Sequence, residues 1–171
     1  MLHLSWGQMW TGPVLPDDPA AWRDDAEIDR LAGQLAARRT TIEEAGALVE
    51  GVAAGPGRER EERLVALFAG TFERIDRERA RIVQGIERLS RRERSRTDRI
   101  EALRAEIAAL RETTGEKDFD GLDRIELLED ELAWETRIYE DRRRSLQFVC
   151  ESPVILEKRA FAIARLIQGE L

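Results

Sequence analysis

Few residue types in this 171-residue chain could carry catalysis, and their placement argues against it. His3 is the only histidine and Cys150 the only cysteine. A Ser-His-Asp or Cys-His arrangement needs a base held between nucleophile and orienting group, and His3 stands in a proline-rich segment. A metal site would have to be built from carboxylates alone, with no Glu-x-x-His pair. The residues therefore point away from an enzyme, and no cofactor or metal is expected. Cys150 follows Val149 near the end of an apolar stripe and reads as a small buried hydrophobe rather than a reactive thiol. A single cysteine allows no intrachain disulfide.

Two kinds of residue could recognise a partner instead. Between Ile86 and Arg104 seven arginines stand at 88, 91, 92, 94, 96, 99 and 104, against four acids. Arg142, Arg143 and Arg144 are expected alongside. Arg91, Arg92, Arg99 and Arg143 are the candidates for an RNA backbone or an acidic partner. Against that reading, no aromatics interleave with the band, glutamates do, and the chain carries a net charge of −7. A solvated, salt-bridged surface is the simpler account. The second kind is aromatic. Trp6 and Trp10 lie in a proline-held segment that could anchor a partner or pack on the protein itself, and Phe119 poses the same question in a polar loop. The segment has no arginine or lysine, which argues against a membrane anchor.

One long heptad ladder must position all of these. From Val65 to Leu110 the a positions are Val65, Phe72, Arg79, Ile86, Glu93, Ile100 and Ile107. The d positions are Phe68, Ile75, Ile82, Leu89, Arg96, Leu103 and Leu110. Eleven of the fourteen are apolar, so one seam of a helix roughly 70 Å long needs cover from other helices.

Other helices flank it. Asp18 as N-cap and Pro19 at the first helical position predict the start of a first helix, with apolar positions from Ile28 to Val52. Thr40 with Glu43 and Thr41 with Glu44 are capping-box pairs, so this is either one bent helix or two short ones. Gly55-Pro56-Gly57 ends it. The ladder helix is predicted from about Arg58 to Arg111. A polar loop spans Thr113 to Gly121, and Asp120 is positioned to cap a third helix ending near Cys150. Ser152-Pro153 repeats the cap-then-proline signal and predicts a separate fourth helix, Val154 to Gln168.

Short connections make consecutive helices antiparallel neighbours. Glu93 should face Arg142, Ile107 should face Leu128, and Leu35 should lie by Arg77 with Ile28 near Gln84. The expected fold is all-α: an elongated antiparallel bundle with a long central helix and a projecting two-helix coiled-coil arm. Its parts are an extended segment at 1–17, a helical body at 18–90 with 146–171, and the arm at 91–145. Glu93, Arg96, Glu135 and Arg142 fall in the arm, where charged pairs set register more than stability. Arg79 has no partner in this scheme.

Charged residues make up 37 % and aromatics 6 %, a composition suited to a helical rod with much surface. The excess of arginine over Lys117 and Lys158 reads as codon bias. Residues 1–10 lack the basic start of a signal peptide, and no apolar run approaches a membrane span. A cytoplasmic setting is expected. The leading functional expectation is a non-enzymatic interaction protein, an adaptor, assembly factor or regulator, self-associating as a homodimer or bound to a protein partner. The alternatives are a nucleic-acid-binding arm protein and a structural subunit of a larger complex.

Overall fold

The computed structural model describes residues 3–15 and 21–171. The fold is an all-α bundle, with no strand among the described residues. Asp18 and Pro19 lie outside those residues. A 3-10 turn at Ala21–Asp24 leads into α1, Ala26–Ala36, whose cap is Asp25: its carboxylate accepts from the Glu27 and Ile28 amides. The α-helix thus begins later than Asp18 implied.

The choice between one bent helix and two short ones falls to two. α2 spans Ile42–Ala53 and opens on the Thr41–Glu44 capping box, in which the Thr41 hydroxyl accepts from the Glu44 amide at 3.1 Å and Glu44 accepts from the Thr41 amide at 2.8 Å. After Gly55-Pro56, Gly57 takes the left-handed conformation (φ 49°) that a glycine adopts without strain. α3 then runs unbroken over Gly57–Thr113.

α4 spans Phe119–Gly169 and overturns two expectations. Its first turn is capped by Asp118, not Asp120: the Gly121 amide donates to Asp118 Oδ1 at 3.1 Å. A Cβ on Gly121 would come 2.6 Å from that carboxylate, so glycine lets the cap close. And α4 continues through Pro153, so the predicted third and fourth helices are one. Proline fixes φ near the helical value and removes one amide donor, freeing the Val149 carbonyl, in a stretch where Val149 is exposed. Beyond it Leu156, Ala160, Ile163, Ala164 and Ile167 form one buried stripe, and its packing outweighs the lost hydrogen bond.

The chain divides into two compact units, Met1–Val83 with Glu151–Leu171, and Gln84–Cys150. In the first, α1, α2 and the last part of α4 surround the start of α3. Ile28, Leu35, Val49, Leu64, Phe68, Ile75, Ile163 and Ile167 are the heart of this core. Trp22, which the heptad pattern does not mark, is buried against α3, because a Cβ on Gly70 would come 2.9 Å from its ring. The Arg23 and Arg74 guanidiniums lie 4.7 and 5.1 Å from the Trp22 ring centroid.

The helix order around α3 differs from the simple antiparallel expectation. Asp25 and Glu27 pair with Arg63, Asp29 pairs with Arg74, and Ala32 abuts Gly70. The break at Ala37–Thr40 redirects the chain, so Ile28 is not beside Gln84. Arg79 does have a partner, Glu157 of α4, at 3.7 Å.

In the second unit α3 and α4 run antiparallel. Leu103, Ile107, Ile125 and Leu128 form its buried cluster, with Leu110 and Leu132 against it. None of the fourteen heptad positions of α3 is exposed. No helix among the described residues is long and apolar enough to cross a membrane.

Candidate interaction surfaces

The two tryptophans of the N-terminal segment part company. Trp10 is only 5 % exposed. Its ring stacks on Phe68 with centroids 4.0 Å apart and planes 10° apart, and its Nε1 donates to the Pro13 carbonyl at 2.8 Å. Gly12 permits this: a Cβ there would meet the Trp10 ring at 2.6 Å. Trp10 is therefore core, not partner surface.

Polar contacts fasten the same segment. The Leu4 amide and His3 Nδ1 both reach the Asp76 carboxylate, at 2.6 and 2.7 Å. The Gln168 amide nitrogen donates to the Met9 carbonyl at 2.9 Å, and the Thr11 hydroxyl donates to Gln168 Oε1 at 2.5 Å. The only histidine thus pins the segment to α3. Trp6 remains 46 % exposed. It lines an open cavity of about 310 Å³ with Leu15, Ala69 and Phe72, rimmed by Arg23, Glu73 and Asp76.

In the second unit the four expected register residues lie together. Arg142 donates to Glu93 at 3.2 Å, Arg96 pairs with Glu135, and Arg96 and Glu93 sit 3.8 Å apart. Glu93 is 7 % exposed, and its Oε2 has no hydrogen-bond donor among the described residues. This square fixes how α3 and α4 align, because a slip of one heptad would separate both pairs.

The arginine candidates split. Arg99 is bound to Glu131 at 2.6 Å, and that hydrogen bond and charge hold its guanidinium above the usual value. Arg91, Arg92 and Arg143 are exposed. Cys150 is exposed rather than buried, since the apolar stripe it follows ends before it. Phe119, in the first turn of α4, is exposed as well.

One surface lies outside every expectation. Leu127, Trp134 and Phe148 recur at multiples of seven along α4, and all are exposed, Trp134 by 62 % and Phe148 by 72 %. They stand on the side of α4 away from Ile125, Leu128 and Leu132, which face α3. The signal was present in the sequence as a second apolar repeat in a helix whose seam was already accounted for.

No family model, curated protein or solved structure matches the chain.

Proposed function

We propose that this chain is a non-enzymatic interaction protein, an adaptor, assembly factor or regulator, working in the cytoplasm. The observation that carries the reading is the exposed line Leu127, Trp134 and Phe148 on the outer side of α4. A helix already packed on one face keeps large apolar side chains in water at a cost, and such a stripe suits a partner's helix or groove. Trp is also the residue type most often central to binding energy. In this reading the paired helices of the second unit act as a coiled coil that presents the stripe. The partner is a protein or a second copy of the chain, and a homodimer closed by two-fold symmetry is the simplest form.

The test is a triple variant, Leu127→Ser with Trp134→Ala and Phe148→Ser. All three side chains are exposed, so helicity and melting temperature should hold while self-association in sedimentation, or co-purification from the native organism, is lost. Unchanged association in a folded triple variant would overturn the reading.

A second reading rests on Arg91, Arg92 and Arg143, exposed on the same unit. It predicts RNA binding that weakens steeply as salt rises. Replacing all three with glutamine should flatten that dependence.

A further inference from the structure

The break between α1 and α2 borders an open surface cavity of about 440 Å³ lined by Arg38, Ile42, Ile155, Lys158, Arg159 and Ala162. Half of these residues are cationic and none is acidic. Arg159 is 9 % exposed. Its Nε donates to the Leu35 carbonyl at 2.7 Å and its Nη1 to the Thr40 carbonyl at 2.8 Å. Both acceptors are neutral carbonyls, one in the last turn of α1 and one in the break before α2. Nη2 is buried and has no acceptor among the described residues. Burial pushes the Arg159 guanidinium below its usual value, yet an arginine keeps its proton at any ordinary pH.

Bracing the helix break accounts for Arg159. It does not explain why Lys158 and Arg38 share the cavity wall with it. A guanidinium buried without a carboxylate is costly, and two more cations beside it raise the cost. A negative charge from outside the chain would relieve the imbalance. The rest of the lining, Ile42, Ile155 and Ala162, is apolar and suits a compact hydrocarbon body.

We propose that this cavity binds a small phosphomonoester carried on an apolar group. Three positive charges with no carboxylate in the lining match a doubly charged head better than a singly charged one. Lys158 and Arg38, both exposed at the rim, contact the phosphate, and Arg159 supplies positive potential from behind. The site is independent of the stripe on α4.

Calorimetric titration with phenyl phosphate tests it, with inorganic phosphate, benzoate and benzyl alcohol as comparison probes. Phenyl phosphate should saturate a single site and bind at least about tenfold more tightly than each of the other three, about 1.4 kcal/mol. Arg38→Gln with Lys158→Gln should weaken it by about tenfold or more while leaving the melting curve in place. Lys158→Glu, a single change at an exposed position, should do the same. Arg159 is left intact because it holds the two carbonyls. The proposal is overturned by no saturation up to about 10 mM, by a probe lacking either the phosphate or the ring binding as tightly, or by variants that bind as the wild type does.

Discussion

Two stretches of the same helix show how its cover decides what its side chains can be. Between Leu64 and Ile75, α3 buries Leu64, Val65, Leu67, Phe68, Thr71 and Ile75. These spread well beyond one stripe because α1, α2, α4 and Trp10 all pack there. The one polar member, Thr71, donates its hydroxyl to the Leu67 carbonyl at 2.7 Å and asks nothing of its neighbours. Between Glu93 and Ile107 only Glu93, Ile100, Leu103 and Ile107 are buried, all at heptad positions. A single helix covers this stretch, so the seam has edges within reach of water, and Glu93 and Arg96 persist there by pairing with Arg142 and Glu135. The same a or d position is therefore confined to hydrocarbon in one stretch and open to charge in the other.

The contrast can be broken most strongly at its thick end. Phe68→Ala or Trp10→Ala should each destabilise the first unit by about 3–5 kcal/mol, since each removes a large aromatic and leaves its stacked partner facing a void. Chemical denaturation followed by circular dichroism reads this out. A loss below about 1 kcal/mol for Trp10→Ala would mean the N-terminal segment is not part of the core.

In the thin stretch a fully buried leucine should cost less. Leu103→Ala is expected to lose about 2–3 kcal/mol, the lower part of the range for such truncations, because a two-helix seam can collapse around the gap. If it costs as much as Phe68→Ala, the second unit has more cover than one helix provides.

Caps come next. Asp25→Ala removes the acceptor of two amides at the start of α1 and should cost about 1 kcal/mol, with Asp25→Asn restoring most of it. A thermal melt of the two variants side by side checks this.

The smallest effect sharpens the comparison most. A double-mutant cycle on Glu93 and Arg142 should give a coupling of about 0.5–1 kcal/mol, falling as salt rises, since the Arg142 side chain is 45 % exposed. Crosslinking should meanwhile show register errors in Glu93→Ala that are absent from the wild type. A large, salt-independent coupling would show that the pair is a stability element rather than a register device.

Local chemistry read from the sequence was sufficient for the all-α class, the ladder from Val65 to Leu110 and the Gly55-Pro56-Gly57 turn, and it narrowed the α2 cap to Thr40–Glu43 or Thr41–Glu44. Each depends on residues within a few turns of one another: heptad spacing, a capping side chain, a glycine free to take positive φ. It was also enough to set Glu93 beside Arg142, because a short loop and a constant rise per residue leave little freedom in an antiparallel pair. What lay beyond local chemistry was decided by packing. Ser152-Pro153 carries the start signal of a separate helix, which the buried stripe from Leu156 to Ile167 overrides by holding α4 in one piece. Trp10 and Trp6 share one segment and one composition, but only Trp10 finds Phe68 within stacking distance. Arg159 reads as one more arginine on a charged helix until the fold brings the carbonyls of Leu35 and Thr40 against it, more than a hundred residues away in sequence. Burial and partnership are properties of what surrounds a side chain, and those surroundings come from distant parts of the chain.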